Sequence, residues 1–449
     1  MKKILIKNGT LVNEGRIWNA DILIEDKIIS RIDEAGISDS QATVIDATGK
    51  YIIPGVIDSQ VHFREPGLTQ KDDLWHASRS AVSGGTTSFM EMPNTIPKAL
   101  TQELLEEKYQ LGNKNSIANY SFYMGTSNEN SDEVFKTNPK NVCGVKIFMG
   151  ASTGDMLVDR PETLRRVFSK NHPLIPIALH CEDEASIRKN TELFREKYGE
   201  DMPMKMHPEL RSAEACYLSS SLAVRIAKEY NSRIHILHLT SEKEMSLFEK
   251  GNVPLREKRI TAEVCIHHLW FSAKDYETKG TYIKWNPAIK QESDRLALFQ
   301  AMLDDKLDVI ATDHAPHTLE EKQNSYFKAP AGAPMVQHSL LAMLEFYHQK
   351  KISLEKIIHK MCHAPAEIFR VHNRGYLKPG YFADMVILDM NSNWIVDRSN
   401  VNYKCAWSPM EGVNFHSKVE KTIVNGRIAY DNGNWDDTLR GERLTFDRD

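Results

Sequence analysis

Two kinds of apolar patterning divide the chain. Over the first 50 residues short apolar runs (Ile4–Ile6, Ala20–Ile24, Ile28–Ile29) alternate with polar positions, and Asn8-Gly9 and Glu25-Asp26 supply turn chemistry between them. The C-terminal stretch has the same character: Ala383–Leu388, Val419–Val424, a turn at Asn425-Gly426, then Arg427–Tyr430. Both ends predict antiparallel strands, and neither carries enough of them to build a core alone. The economical expectation is one small β-sandwich stitched from residues 1–53 and 378–449.

The centre, residues 54–377, has another rhythm, in which short apolar runs are each followed by a helical pattern. The runs are Val56–Val61, Thr86–Met92, Ala118–Met124, Val142–Met149, Ile175–His180, Arg233–Leu239, Ile260–Leu269 and Asp308–Thr312, eight in all. Leu100–Leu111 is periodic in Leu, and Ser212–Tyr230 shows an apolar Ala/Leu/Ile face. Ser241-x-x-Glu244 reads as a capping box opening a helix over 242–249, and Ser293 can cap Asp294–Leu303. Eight strand-helix units predict an α/β fold, a (β/α)8 TIM-type barrel. An open doubly wound sheet is the runner-up, but no GxGxxG follows the first central strand.

Composition narrows the partners more than the fold. The 449 residues carry 57 Lys and Arg against 61 Asp and Glu, a net charge of −4. No strong field of either sign follows, which argues against nucleic acid or an anionic membrane as the main partner. No apolar run approaches the ~18–20 residues of a membrane span, and Lys7 and Asn8 interrupt the N-terminal apolar run before a signal-peptide core can form. The six cysteines lie far apart without a CxxC pair, as expected of buried thiols in a reducing cytoplasm.

In a barrel, chemistry is built at the C-terminal ends of the strands. Here those ends read Gln60-Val-His62-Phe-Arg64, Pro93-Asn94-Thr95, His180, His238, His267-His268 and Asp313-His-Ala-Pro-His317, with Lys146 inside the fourth run. His62, His180, His238 and Asp313 come from separate strands and converge on one mouth. Neutral imidazole and carboxylate are what Zn²⁺ accepts. Lys146, between Val145 and Ile147, is costly to bury unpaired. Either an ion pair, or a depressed pKa and reaction with CO₂ to give a metal-bridging carbamate, would resolve that. Neighbouring side chains in a strand face opposite ways, so at most one of His267 and His268 faces the mouth, and packing is the expected role of the pair. Cys181 reads as a small core residue and His314 as structural. Residues 318–334 read equally as a lid over the mouth or as a solvated loop.

The segments Ile53-Pro-Gly-Val-Ile-Asp58, Val61-His-Phe-Arg-Glu-Pro-Gly67, Met92-Pro-Asn-Thr95 and Ala311-Thr-Asp-His-Ala-Pro-His317 together resemble the amidohydrolase superfamily and, within it, the dihydroorotases. The resemblance runs along most of the chain. It implies a cytoplasmic enzyme of pyrimidine synthesis, reversibly closing N-carbamoyl-L-aspartate to L-dihydroorotate, and a homodimer with one or two Zn²⁺ in the barrel mouth. By position, His62, His180, His238 and Asp313 match metal ligands, and Lys146 matches the carboxylated lysine. Arg64, Asn94 and His317 match residues that grip the substrate α-carboxylate. Asn286, in Trp285-Asn-Pro-Ala288, resembles the Asn-Pro segment near the ring, and Asp313 is the implied proton carrier.

The first-strand pattern of the family is His-x-His, whereas this chain has Gln60-x-His62. A glutamine oxygen is a weaker zinc ligand than imidazole. Gln60 therefore ligates weakly, leaves its site partly occupied, or leaves a single zinc on His180, His238 and the lysine carbamate. An intact enzyme with an asymmetric metal pair is the preferred expectation. A hydantoinase- or allantoinase-like cyclic amidohydrolase and a non-catalytic assembly partner are the alternatives. Arg64 speaks against the former, whose substrates lack the α-carboxylate.

Overall fold

The computed structural model describes residues 2–150 and 156–449. The N-terminal strands are β1 (Lys3–Asn13), β2 (Arg16–Glu25), β3 (Ile28–Asp33), β4 (Thr43–Asp46) and β5 (Tyr51–Pro54). The central strands are β6 (Val56–Val61), β7 (Thr86–Glu91), β8 (Asn119–Phe122), β9 (Met124–Gly125), β10 (Val145–Phe148), β11 (Ile177–His180), β12 (Ile234–Ile236), β13 (Ile260–Cys265) and β14 (Val309–Ala311). The C-terminal set is β15 (Met385–Asp389), β16 (Trp394–Ile395), β17 (Asn414–Phe415), β18 (Lys418–Val424), β19 (Arg427–Asp431) and β20 (Asn434–Trp435).

All eight central runs form parallel strands, with β8 and β9 as two parts of the third. They pair in the orders β6-β7-β8 and β9-β10-β11-β12-β13-β14. The ring closes where Val61 pairs with His314 and the His62 amide donates to the His314 carbonyl at 2.7 Å. Alternation along the strands separates two apolar layers. Val145, Ile147, Ile177 and Leu179 point outward into the main core under the helices, while Ile57, Met90, Ala178, Leu237 and Val309 fill the barrel's interior floor. Lys146 and Phe148 share the inward face, with the Lys146 nitrogen 4.5 Å from the centre of the Phe148 ring.

Strands from both ends of the chain join in one sheet ordered β20-β19-β18-β15-β5-β1-β2-β3, with β4 beside β1. The linking pairs are β5 with β1 in parallel and β5 with β15 antiparallel. Ile4, Ile6, Leu11, Ile22, Ile24, Met385 and Ile423 make its apolar core. Two parts of the C-terminal stretch leave this sheet for the barrel. Near the mouth, Tyr403 accepts the Gln337 amide at 3.0 Å and Trp407 donates to the His317 carbonyl at 2.8 Å. At the opposite end, Leu444 and Phe446 join the interior floor and the buried Arg448 donates to the carbonyls of Val142 and Cys143 at 2.8 Å each.

Several local expectations shift. The helix over Gln102–Asn115 is capped by Thr101, and Ala213–Tyr230 by Ser212. Gln291, not Ser293, caps Glu292–Leu303, because it completes a reciprocal box with Asp294. The segment after Ser241 is a 3₁₀ turn over Glu242–Leu247, since the Glu244 carboxylate turns back to accept from Ser241 and Ser220. The seventh strand ends at Cys265, and His267 and His268 lie on a short helix, Ile266–Trp270. The apolar run continued through the helix because both elements are buried, so period alone could not mark the boundary.

Candidate metal centre and active site

The strand ends bring Gln60, His62, Arg64, Asn94, Lys146, His180, His238, Asn286 and Asp313 onto one cavity of about 110 Å³, together with Phe148, Trp285, Ala315, Ala331 and Gly332. Three of these residues, Arg64 (φ 70°), His238 (φ 38°) and Asp313 (φ 44°), adopt a left-handed backbone. Side chains with a Cβ rarely take that conformation, and it collects at functional sites.

The donors fall into two facing pairs. Nδ1 of His62 donates to Asn94 Oδ1 at 2.8 Å, so its Nε2 carries a lone pair. That lone pair faces the Asp313 carboxylate at 3.2 Å, an arrangement that calls for a cation between them, because burial lowers the His62 pKa and keeps the ring neutral. On the other side, His180 Nε2 donates to Glu182 at 2.8 Å, which leaves His180 Nδ1 as a lone pair 2.9 Å from His238 Nε2. Lys146, 1% exposed, has no hydrogen-bond partner for its nitrogen. Burial pushes its pKa down to about 7, against the opposing pull of Asp313. A lysine with a depressed pKa among imidazoles and a carboxylate, with the His62 lone pair facing that carboxylate, fits a divalent metal centre.

Gln60 turns its amide nitrogen to Asp313 Oδ1 at 3.0 Å, while its oxygen lies 3.9 Å from the Cys265 sulfur. In this orientation it supports Asp313 by hydrogen bonding. Trp285 adds a second restraint, its indole nitrogen lying 3.3 Å from the Asp313 carbonyl.

Arg64 is 7% exposed, with Nε donating to the Pro316 carbonyl at 3.0 Å and Nη2 lying 3.1 Å from His317 Nε2. Burial lowers its pKa to about 10, still charged at neutral pH. Among the described residues no carboxylate stands within ion-pair distance of it. His317 does not line the cavity. It sits behind Arg64, donating to Ala331 O at 3.0 Å and accepting from Lys71 Nζ at 3.0 Å. The Asn286 oxygen reaches the cavity without a partner. The segment 318–334 packs on the mouth through Ala331 and Gly332. It is pinned by two buried lysines: Lys284 donates to Tyr326 O and Ala329 O at 2.6 Å, and Lys322 to Pro330 O and Gly332 O at 2.9 and 2.8 Å. Cys181 and His314 are buried, and His314 Nδ1 accepts the Met335 amide at 3.0 Å.

Sequence reasoning missed the support behind His180. Glu182 is fully buried and clamped by Arg211 through two hydrogen bonds of 2.9 and 2.7 Å. Arg211 and His180 together hold its carboxyl well below the usual range, against the effect of burial. The available signal was a carboxylate two residues beyond a strand-end histidine, but its partner Arg211 lies 29 residues further on.

A parallel eight-stranded barrel with histidine, lysine and aspartate donors at its strand ends gathers the groups that metal-assisted hydrolysis requires. Residues 51–429 match the amidohydrolase family, and the chain belongs to it. It is similar over nearly its whole length to dihydroorotases. That of Pyrococcus abyssi is 30% identical over 446 residues, covering 99% of each chain, and that of Methanosphaera stadtmanae is 29% identical over 430 residues, covering 95% of this chain and 96% of the relative. Among solved structures, the L-hydantoinase (dihydropyrimidinase) of Arthrobacter aurescens superposes with a TM-score of 0.89 at 26% identity, covering 97% of each chain. The dihydropyrimidinase of Brevibacillus agri gives 0.89 at 21% identity over 100% of both, a likeness of fold alone.

Proposed function

We propose that this chain is a dihydroorotase, interconverting N-carbamoyl-L-aspartate and L-dihydroorotate. The observation that carries the choice of substrate is Arg64, a buried guanidinium on the cavity wall with no carboxylate of the described chain beside it. A buried charge without a counter-charge is unfavourable, and a planar fork suits a carboxylate. The substrate α-carboxylate completes that pair, with Asn94 beside it. The Pro316 carbonyl holds the guanidinium from behind, beside His317. Asn286 presents its unpartnered amide oxygen to the polar edge of the ring.

His62, Lys146, His180, His238 and Asp313 would hold one or two Zn²⁺, with Lys146 as its carbamate. The amine takes up CO₂, forms the N–C bond and releases one proton. Bound zinc supplies a Lewis acid for the ring carbonyl and lowers the pKa of water to about 7. Asp313 takes the proton from the attacking water and returns it to the ring nitrogen as the amide C–N bond breaks. In the closing direction it removes that proton from the ureido nitrogen. Gln60 and Trp285 keep the carboxylate aimed. Ala331 and Gly332 close the mouth and limit entry of bulk water.

The family resemblance also supports a homodimer working in the cytoplasm, which sedimentation and cell fractionation test. The activity is tested by assaying the purified, zinc-supplemented chain on dihydroorotate, dihydrouracil and hydantoin. Turnover of dihydroorotate well above the other two is expected. A preference for either ring lacking the carboxylate would assign the chain to the hydantoinase-like alternative.

A further inference from the structure

The seventh strand ends on a second group of donors that the proposed reaction does not use. Cys265 closes β13, and the short helix Ile266–Trp270 folds His267 and His268 back beside it. The Cys265 sulfur and one ring nitrogen of each histidine lie within 4.8 Å of one another, the only such trio of potential metal ligands among the described residues. None lines the active-site cavity, and all are buried: Cys265 and His267 at 0% exposure, His268 at 2%.

Packing accounts for where these rings lie but not for their nitrogens. His267 is stacked flat on Trp285, with ring centres 3.9 Å apart and planes 5° apart. That covers a face of the imidazole and leaves its edge, where both nitrogens sit, to find partners. The Thr312 backbone is a weak partner for one of these nitrogens, and the other has none. His268 is more telling. Its Nε2 donates to the Pro287 carbonyl at 3.2 Å, which fixes the proton there and leaves Nδ1 as a buried lone pair, also without a partner. A backbone carbonyl behind the far nitrogen is the usual support of a metal-bound imidazole. Buried polar atoms are nearly always satisfied, so two buried histidines, each with an unpartnered nitrogen and each offering one ring nitrogen to the same thiol, point to a missing cation.

Oxygen donors stand at the rim of the same group. Gln60 Oε1 is 3.9 Å and Glu263 Oε1 4.0 Å from the Cys265 sulfur. Ligands on one tetrahedral zinc, at ~2.3 Å for sulfur and ~2.0–2.2 Å for oxygen, stand at comparable separations. The residue by which this chain departs from its family, Gln60, thus offers its nitrogen to Asp313 and its oxygen to this group.

We propose that Cys265, His267 and His268 form a second metal site, distinct from the centre at the strand mouth, for a borderline or soft divalent ion such as Zn²⁺, with Gln60 as its oxygen neighbour. Thiolate and imidazole select such ions over Mg²⁺ or Ca²⁺. Binding replaces the Cys265 S–H bond with a sulfur–metal bond and releases one proton to solvent. The site is structural: it ties the end of β13 to Gln60 on the cavity wall and, through His267 stacked on Trp285, to the segment that carries Asn286.

The ligands assigned at the mouth include no sulfur, which makes the two sites separable by spectroscopy. The whole chain is stripped of metal, loaded with Co²⁺ and examined for a thiolate-to-cobalt charge-transfer band in the near ultraviolet. A band equivalent to one thiolate per chain is expected, abolished in Cys265→Ser and kept in Cys181→Ser, the sulfur beside His180. Absence of the band from the loaded parent chain, or its loss with Cys181 rather than Cys265, overturns the proposal. The parent spectrum decides the matter even if Cys265→Ser does not fold. Dihydroorotate turnover without a thiolate band would defeat this site and leave the catalytic reading standing. A thiolate band without turnover would do the reverse.

Discussion

Several side chains in the mouth are held by a second one, and that dependence sets what substitutions do. Asp313 faces His62 and is steadied by Gln60. Asp313→Asn keeps that packing but cannot carry the proton, so kcat is expected to fall by ~10²–10⁴-fold, with metal content by elemental analysis largely kept. Arg64→Ala removes the counter-charge proposed for the substrate carboxylate. A charged hydrogen bond contributes ~1.5–3 kcal/mol, so KM for dihydroorotate should rise by roughly 10–100-fold with a smaller change in kcat. Steady-state kinetics would show the split, and an unchanged KM would place the carboxylate elsewhere. Glu182 lies outside the cavity lining, yet it sets the tautomer of His180. Glu182→Gln is expected to weaken metal affinity ~10–100-fold, read by competition with a chelator, while Arg211 loses its counter-ion.

Among the elements, the segment after β14 matters most to the cavity. Gly332 has φ +123°, and a Cβ there would stand 2.4 Å from the Ala315 carbonyl and 3.2 Å from His317 Nε2. Both the backbone conformation and the space exclude a side chain. Gly332→Ala should therefore push 318–334 off the mouth. The expected readouts are a lower kcat/KM and faster protease cleavage within the segment, with little change in the far-ultraviolet dichroism. Lys284 and Lys322 hold the same loop by donating to four of its carbonyls. In sequence they are only two more lysines. Nothing local reveals that they are buried, because the carbonyls they bond, in residues 326–332, lack partners only once the loop has folded over the barrel. The two histidines after Cys265 make the related point about an element boundary, since strand and helix were equally apolar there.

At the scale of the molecule, the barrel depends on the far end of the chain. Arg448 donates to Val142 O and Cys143 O and packs under the interior floor. Arg448→Met would leave several buried carbonyls unsatisfied, at ~1–3 kcal/mol each. A Tm lower by several degrees with near-normal KM is expected, since the cavity lies at the other end of the strands. An unchanged Tm would mean that the C-terminal residues add little to the barrel.

Much of this organisation was legible along the chain because it depends on local periodicity. Eight apolar runs each followed by a helical pattern favour a barrel over an open doubly wound sheet, and parallel strands buried on both faces read as continuous apolar stretches. The strand ends then told which residues would converge, since topology alone brings them to one mouth. His62, Lys146, His180, His238 and Asp313 were all visible in this way. What only the tertiary structure decided was the direction of each donor atom. Gln60 offers its amide to Asp313, His317 stands behind Arg64, Glu182 and Arg211 fix His180, and Cys265 meets His267 and His268. These are contacts between groups brought together across the barrel or turned by a short helix. Their geometry follows from packing and from the need to satisfy buried polar atoms, neither of which leaves a period in the sequence.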